Sequence, residues 1–382
     1  MTVLCLALFF STVALCFAAY FGYPLFVACL PRAPRPSLDE THFTPQVSLL
    51  IAAYNEAQHI ATKARNSLAQ DYPADKLEIF VGSDGSTDET PALLAAVADP
   101  RVKSTHFPVN RGKTSVQNDL VALSRGEILV FTDAASFIPP DAVRKLVRNF
   151  ADPRVGCVAG RMRFIGTDAN LTTQSQGLYW RYEAKLRELE SRIGSLIGVD
   201  GPLYAVRREC YVPLEPHVIS DLVTPLLVLE QGRKVVLETE ALVDEDPTVK
   251  GHQEFRTRRR VVLRGLTGLW TYRRLLNPLK HPLLATQLIL HKLLRWLVGP
   301  LAMVNLGACI ALLPHWFFVA MTCGYAAFAA AAALGWLLDR RGVTVRALTV
   351  PYYFTLVNAA ATMALIDFVR RKQATTWKPV RH

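Results

Sequence analysis

The stretch Asp84-Gly85-Ser86-Thr87-Asp88 follows a short apolar run, and so do Tyr54-Asn55-Glu56 upstream and Thr132-Asp133-Ala134 downstream. Each acidic cluster therefore lies where a predicted β-strand ends. The carboxyl ends of neighbouring strands in an open parallel sheet converge on one crevice, where ligands bind. Several carboxylates meeting in a crevice are costly unless they face a cation, a ribose or a base edge. The arrangement indicates a site for a nucleotide that carries a diphosphate.

Strand and helix patterns alternate around these three stretches. Because alternating β and α units build a parallel sheet flanked by helices, the predicted fold class of this part is α/β. Ser86-Thr-Asp-Glu89 has the spacing of a capping box and is predicted to begin one helix. The predicted strands are 47–52, 77–82, 102–107 and 127–131, and the predicted helices include 56–70 and 113–123.

The apolar residues are unevenly spread along the chain. Residues 2–30 hold no charged side chain and are long enough to cross about 30 Å of hydrocarbon. A cleaved signal peptide is the alternative, but no positive segment follows Met1 and the stretch is too long for one. Further apolar stretches lie at 297–313, 316–338 and 347–369. We expect a transmembrane helix in 1–32, a globular domain in 42–276, and an interfacial helix with about three transmembrane helices in 277–382.

The charge distribution predicts the side of the membrane on which the globular domain lies. Lysine and arginine total 43 against 32 aspartate and glutamate, a net charge of +11, and Arg32, Arg35 and 256–264 cluster beside apolar stretches. Positive juxtamembrane segments stay in the cytosol and contact anionic membrane lipids. We therefore expect a multi-pass protein of the inner cell membrane with a cytosolic domain. Nucleic acid is not an expected partner, because no aromatic residues interleave with this charge on a recognisable module.

The side of the carboxyl terminus stays open at this point. Three terminal spans would place Arg370-Arg371-Lys372 outside the cell, against the positive-inside rule. Either one apolar stretch is re-entrant, or one of the three is an interfacial helix.

Five short motifs follow one another along the globular part: Tyr54-Asn55-Glu56, Ser83-Asp84-Gly85-Ser86-Thr87-Asp88, Asn110-Arg111-Gly112-Lys113, Thr132-Asp133-Ala134 and Ser220-Asp221. In order and spacing they resemble family 2 glycosyltransferases, which have the GT-A fold with a Rossmann-like, mostly parallel sheet. The resemblance covers about 45–264. The ending Thr376-Trp377-Lys378-Pro379 is similar to that of bacterial membrane-bound members.

The resemblance implies a site for a nucleotide-sugar donor. Tyr54 and Glu56 would border the nucleoside, Asp84 would accept a hydrogen bond from the base imide, and Lys113 would lie near the diphosphate. A helix N-terminus with an ammonium group is a ready anion site. The alternatives are local ones: a turn at 54–56 with a helix-starting glutamate, a turn-forming Asp84, and a solvated Lys113.

Asp133 is the expected metal ligand. The family usually has Asp-x-Asp here, with two carboxylates holding Mg²⁺ or Mn²⁺ against the diphosphate, whereas this chain has Asp133-Ala134-Ala135. Ser136 is at best a weak neutral substitute. Asp133 together with substrate phosphates can still hold an ion that keeps several waters. We therefore expect Mg²⁺ or Mn²⁺ to be needed and to bind weakly.

Asp221 falls where the family places its catalytic base, with Ser220 in place of the usual preceding acid. Inverting transfer needs a carboxylate that takes the proton of the acceptor hydroxyl. The alternative is that Asp221 serves as the N-cap of a helix, and both roles are compatible. Asp200 and Gly201 resemble the loop on which an acceptor sugar rests, which a simple tight turn would also explain.

Arg260 matches the arginine of the Gln-x-x-Arg-Trp motif, while Thr257 and Val261 depart from its glutamine and tryptophan. In the family this motif helps to hold acceptor and diphosphate in processive synthases. A positive-inside anchor explains most of the charge in 256–260. Arg260 is therefore the residue that we expect to contact the diphosphate.

The sequence is compatible with three functions. The leading one is a membrane transferase that extends a polysaccharide from a UDP-sugar, as in hyaluronan, chitin-oligosaccharide or poly-N-acetylglucosamine synthases, with a homo-oligomer or an export partner as possible assemblies. The second transfers one sugar to a polyprenyl-phosphate or another lipid-linked acceptor. The third is a scaffold that has lost its catalytic activity, which is suggested by Ala135 in place of the second aspartate of the family motif.

Overall fold

The computed structural model describes residues 2–33, 43–164, 171–245, 251–343 and 345–372. Arg35 and the family-like ending at 376–379 lie outside these ranges. The strands are β1 (Val47–Ala53), β2 (Leu77–Asp84), β3 (Val102–Phe107), β4 (Ile128–Asp133), β5 (Val155–Phe164), β6 (Leu203–Arg207) and β7 (Lys234–Glu245). The helices are α1 (Thr2–Cys29), α2 (Ile60–Leu68), α3 (Thr90–Ala95), α4 (Lys113–Leu123), α5 (Ala142–Arg148), α6 (Leu171–Arg192), α7 (Ser220–Glu230), α8 (Gly251–Thr271), α9 (Pro282–Ala311), α10 (Trp316–Asp339) and α11 (Arg346–Val369).

The seven strands form one sheet in the order β3-β2-β1-β4-β6-β5-β7. The first four strands in that order run parallel, and β6 is antiparallel to both of its neighbours. Every residue of β1 is buried, as expected for a strand covered by helices on both faces. The predicted α/β class is confirmed. Because β1 lies between β2 and β4, the ends at Ala53, Asp84 and Asp133 are neighbours in space.

Two local predictions near the crevice are corrected. The helix expected at 56–70 covers only Ile60–Leu68, since the preceding residues form a turn. The predicted capping box at Ser86–Glu89 is wrong: Ser86 Oγ accepts a hydrogen bond from the Asn55 backbone N–H at 3.0 Å. The N-cap residue of α3 is Glu89, and the preceding Asp88 accepts through Oδ1 a hydrogen bond from Thr90 N–H at 3.0 Å. The Ser86 hydroxyl, which a capping box would use at the start of the helix, instead makes this tertiary contact with Asn55.

Four of the helices, α1, α9, α10 and α11, are long and apolar enough to cross a membrane. Helix α9 is continuous from Pro282 to Ala311, so the interfacial helix predicted to precede the first carboxyl-terminal span is joined to it. Helices α1 and α9 pack together through Asn305, whose Nδ2 donates to Thr12 Oγ1 at 2.7 Å. Phe9 lies against Phe318 of α10, with ring centroids 5.3 Å apart.

Helix α11 follows the arginine-rich helix α8 along its length. Tyr352 lies against Gly251 at the start of α8, and the rings of Phe368 and Trp270 are 6.2 Å apart near its end. Asp367, only 3% exposed, forms ion pairs with Arg259 and with Lys372. The carboxyl end of α11 is therefore attached to the helix that continues the globular domain.

Candidate active site

Two loops meet at the crevice through backbone conformations that few residues adopt. Gly85 has a φ of 66° and Asn55 a φ of 54°, and Asn55 Oδ1 accepts from Thr87 N–H at 2.8 Å. A Cβ on Gly85 would lie 2.4 Å from the Asn110 backbone nitrogen, so glycine is required there. Tyr54 is half-buried and Glu56 is 7% exposed beside this junction.

Asp84 is completely buried, and its two oxygens accept hydrogen bonds from backbone N–H groups of the next motif. The donors are Arg111 at 2.9 Å and Gly112 at 2.8 Å. The carboxylate thus fixes the loop that delivers Lys113 at the start of α4. The predicted contact between Asp84 and a base imide stays a prediction.

Lys113 contacts both the end of β4 and the loop at Gly201. Its ammonium group forms an ion pair with Asp133 at the end of β4, and it lies 3.4 Å from the carbonyl oxygen of Gly201. Asp133 keeps 27% of its side chain exposed toward the crevice. Three residues far apart in sequence are therefore brought together as the motifs imply.

Asp221 lies on the opposite wall, in the first turn of α7. Ile219 is the N-cap residue, so the predicted N-cap role of Asp221 is wrong. A Cβ on Gly201 would lie 2.9 Å from Asp221 Oδ2 and 3.5 Å from Lys113 Nζ, which shows how closely the carboxylate approaches this loop. Burial raises the pKa of Asp221, while the positive charges of Lys113 and Arg264 oppose the shift. A carboxylate with a raised pKa is suited to accept a proton.

Two arginines of α8 border this carboxylate. Burial lowers the pKa of Arg260, and the negative charges of Asp221 and Asp133 oppose that shift. Burial also lowers the pKa of Arg264, and the negative charge of Asp221 opposes that shift. The Nη2 of Arg264 donates to the Val218 carbonyl at 3.0 Å. Sequence reasoning selected Arg260 and missed Arg264, although the two are one helical turn apart on the same face.

Lys63 and Glu245 are further ionisable groups that sequence reasoning missed. Lys63 is fully buried beneath the β4 loop, where its Nζ donates to Thr132 Oγ1 at 2.8 Å, and burial lowers its pKa to about 7. Glu245 contacts Ser136, and burial raises its pKa to about 7 despite that hydrogen bond. Neither residue lies in a motif, and Glu245 reaches the site only because β7 ends there.

The oxygens of Asp133 fit a weakly held divalent ion. Within the ranges that the structure describes, no group of three or more His, Cys, Asp or Glu side chains is arranged to hold a metal ion. A hard cation that keeps several waters needs only one or two carboxylates when substrate phosphates supply the remaining ligands. Asp133 meets that minimum.

A cavity of about 500 Å³ extends from these groups toward the membrane helices. Its lining includes Asp133, Asp221 and Asp200 from the globular part, Tyr20 of α1 and Asn358 of α11. Asp200 is held by an ion pair with Arg187 of α6. The predicted acceptor loop therefore shares one cavity with Asp133, Asp221 and two of the membrane helices.

Residues 48–211 match the sequence profile of glycosyl transferase family 2. This part of the chain is a family 2 glycosyltransferase domain. The transferase domain is 31% identical over 161 residues to a beta-monoglucosyldiacylglycerol synthase of Synechocystis sp., covering 40% of this chain and 34% of that protein. It is 32% identical over 179 residues to an N-acetylglucosaminyltransferase of Rhizobium leguminosarum, covering 46% and 42% of the two chains. The chain thus spans less than half the length of these relatives.

A solved structure resembles this protein over nearly its whole length. Mannosyltransferase PcManGT from Pyrobaculum calidifontis, in complex with GDP-Man and Mn²⁺, has a TM-score of 0.73 and 25% sequence identity. The match covers 96% of this chain and 99% of that one. The structural similarity therefore includes the membrane helices, which lie outside the residues matched by the family profile.

Proposed function

We propose that this protein transfers a sugar from a nucleotide-sugar, with inversion, to an acceptor that enters from the membrane. The observation that carries the proposal is the half-buried Asp221, which faces Gly201, lines the cavity and has a raised pKa. In this reaction Asp221 takes the proton of the acceptor hydroxyl as that oxygen bonds to the anomeric carbon. The bond between the anomeric carbon and the diphosphate breaks, and the nucleoside diphosphate leaves.

The donor would lie between the crevice and α8. Lys113 and Arg260 are placed to contact the diphosphate, because both lie near Asp133 and Asp221. Tyr54, Glu56 and Asp84 mark the nucleoside side of the crevice. The relative of known structure holds GDP-Man, and sequence reasoning favours a UDP-sugar, so both nucleotides belong in the test.

A divalent ion would be held by Asp133 and would neutralise charge on the diphosphate when bound. The Mn²⁺ of the related mannosyltransferase supports this assignment. Lys113 would supply a second positive charge from this chain, through its ion pair with the same carboxylate. Asp133 thereby orients both positive groups at one place.

The cavity favours a lipid-linked acceptor over a growing polysaccharide. Helices α1 and α11 contribute Tyr20 and Asn358 to its wall, and an ion pair between Glu183 and Arg295 lies within the same lining. One relative is named as a synthase of monoglucosyldiacylglycerol, which agrees with a lipid acceptor. Polysaccharide extension, the leading prediction from the sequence, becomes the second candidate.

The topology that we propose places the domain and both ends of α8 in the cytosol. The arginines of α8 cannot lie in hydrocarbon, and α11 follows this helix from Gly251 to Trp270. Helix α11 would then stay at the cytosolic face, so that α1, α9 and α10 cross the membrane. Arg370, Arg371 and Lys372 would be cytosolic, in agreement with the positive-inside rule.

A nucleotide-release assay tests the proposed function. Purified protein in lipid nanodiscs, given a bacterial lipid extract, is screened against UDP- and GDP-sugars. We expect release from one donor that depends on both the lipid extract and Asp221. Release that persists unchanged in Asp221→Asn would contradict the mechanism, and no release from any donor would support the scaffold alternative.

A further inference from the structure

The membrane-proximal part of the cavity contains a guanidinium group with an unused edge. Arg187 lines the cavity and is only 7% exposed. Its Nη1 donates to Asp200, whereas Nε and Nη2 have no hydrogen-bond partner among the described residues. Buried donors without partners are costly, so this edge is expected to meet a ligand.

The acidic side chains around Arg187 already have other hydrogen-bond or ion-pair partners. Glu183 forms ion pairs with Arg295 at 2.9 Å and with Lys292 at 3.7 Å. Both Glu183 and Glu190 bind His291, at 3.1 and 2.7 Å. The free edge of Arg187 is therefore not reserved for a carboxylate of this chain.

The geometry of the free edge indicates the class of ligand. The Nε and Nη2 donors of a guanidinium point the same way and match two oxygens of a phosphate. Lys292 adds a second positive charge, since its Nζ lies 3.8 Å from where a Cβ on Gly198 would be. Gly198 is two residues from Asp200, so the arginine and the lysine flank one loop.

A second cavity, of about 1720 Å³, indicates where such a phosphate would come from. It lies between α9, α10 and α11, and its wall is largely apolar, with Met303, Leu306 and Phe328 among the lining residues. Asn358 of α11 lines both cavities. A polar chamber beside an apolar one, both next to the membrane, fits the head group and the hydrocarbon chain of a lipid.

We propose that Arg187 and Lys292 form a phosphate-binding subsite for the lipid-linked acceptor, whose hydrocarbon chain lies in the apolar cavity between α9, α10 and α11. This inference rests on the proposed function. The diphosphate of the donor is the other phosphate that could enter, but Lys113 and Arg260 already serve it on the far side of Gly201.

A binding experiment tests the subsite without catalysis. The melting temperature of the purified full-length protein in detergent micelles is measured with polyprenyl phosphate, with polyprenol, with inorganic phosphate and with UDP. We expect polyprenyl phosphate to raise the melting temperature of the wild type by several degrees, and polyprenol and inorganic phosphate to raise it far less. Equal shifts from polyprenol would overturn the phosphate assignment, and equal shifts from inorganic phosphate would overturn the lipid source.

Variants of Arg187 test whether the shift in melting temperature arises at the proposed subsite. Arg187→Gln is expected to lose the shift caused by polyprenyl phosphate and to keep the shift caused by UDP. Lys185→Gln, an exposed position of the same helix, is the matched control and should behave as the wild type. If Arg187→Gln does not fold, Arg187→Lys keeps the charge but not the paired donors, and its affinity for polyprenyl phosphate should fall at least about tenfold.

Two failures can be told apart. An unchanged polyprenyl phosphate shift in the folded Arg187 variant, with normal nucleotide release, overturns the subsite and leaves the proposed function standing. Absence of nucleotide release and of UDP binding in the wild type would instead remove the proposed function.

Discussion

At the scale of single residues, the site depends on a carboxylate and a glycine that face each other. Asp221 and Gly201 approach so closely that a methyl group on the glycine would meet Asp221 Oδ2 at 2.9 Å. Lys113 lies beside both, and its charge opposes the rise in the pKa of Asp221. The proposed catalytic base and the loop proposed to support the acceptor sugar are thus in close contact.

The first prediction concerns Asp221 as the proposed general base. Asp221→Asn should abolish transfer, because loss of a general base costs about 10²–10⁴-fold in rate. Binding of UDP, measured by calorimetry, should stay nearly intact, since the nucleoside side of the crevice is unaltered. Glu230→Gln at the other end of α7 is the control and should keep wild-type turnover. Wild-type turnover in Asp221→Asn at normal expression would rule out this mechanism.

The second prediction concerns Gly201. Gly201→Ala should displace the Asp221 carboxylate and lower kcat by about 10²-fold, because small displacements of a reacting group are costly. Gly307→Ala is the control, since nothing lies within 4 Å of a Cβ at that position. Steady-state kinetics of both variants decide the matter. Equal kcat values in the two variants would show that the contact does not matter.

The third prediction concerns the missing carboxylate. Asp133→Ala should lose activity and the binding of Mn²⁺ measured by electron paramagnetic resonance, since Asp133 is the proposed protein ligand of the ion. Ala135→Asp should lower the Mg²⁺ or Mn²⁺ concentration needed, which we expect to be in the millimolar range for the wild type, because ligand charge sets much of a hard cation's affinity. Full activity in excess chelator would mean that Lys113 and Arg260 suffice.

At the scale of elements, the decisive pair is α8 and α11. Helix α8 contains the arginines that face the crevice, and α11 packs beside it from Tyr352 to Phe368. The ion pair between Asp367 and Arg259 joins the two near their ends. An apolar helix bound in this way to a charged one has its carboxyl end at the face of the globular domain.

The fourth prediction follows from that pair. Single cysteines are placed at Asp99, Lys372 and Val3 in an otherwise cysteine-free protein and labelled with a membrane-impermeant thiol reagent in intact cells. Asp99→Cys and Lys372→Cys should stay unlabelled, because the proposed topology places both positions in the cytosol. Val3→Cys, at the opposite end of α1, should react. Labelling at Lys372→Cys alone would show that α11 crosses the membrane, and labelling at Asp99→Cys would overturn the cytosolic domain.

At the scale of the whole molecule, two neighbouring cavities lie between the sheet and the membrane helices. The polar one is lined by Asp221, Tyr20 and Asn358, and the apolar one lies between α9, α10 and α11 with Asn358 also in its wall. The likeness to the mannosyltransferase extends over 96% of this chain, so the transferase and membrane parts belong to one architecture. This arrangement suits a substrate that keeps its hydrocarbon chain in the bilayer during transfer.

The fifth prediction concerns the product. Protein in nanodiscs with a radiolabelled nucleotide-sugar and a lipid extract should form one organic-soluble species, because membrane helices α1 and α11 line the polar cavity and would admit a single lipid-linked acceptor. Thin-layer chromatography and gel electrophoresis separate the outcomes. A ladder of water-soluble products would establish polysaccharide extension instead.

The sequence by itself determined the α/β class, the family and the residues at the strand ends, because these depend on patterns within short stretches. The strand predicted at 47–52 is observed as Val47–Ala53, and the Asp84 loop and Asp133 were predicted from apolar runs followed by acidic residues. The four candidate membrane helices follow from hydropathy alone. Each of these features is a local property of the chain.

Only the tertiary structure showed that Lys63, Glu245, Arg264 and Arg187 border the site. Their sequence neighbours carry no motif, and burial and electrostatic pairing arise only when distant elements pack together. The same reason explains the failed capping box, where Asn55 binds the hydroxyl of Ser86. It also explains the position of α11, because hydropathy measures how apolar a helix is, whereas its packing against α8 decides where it lies.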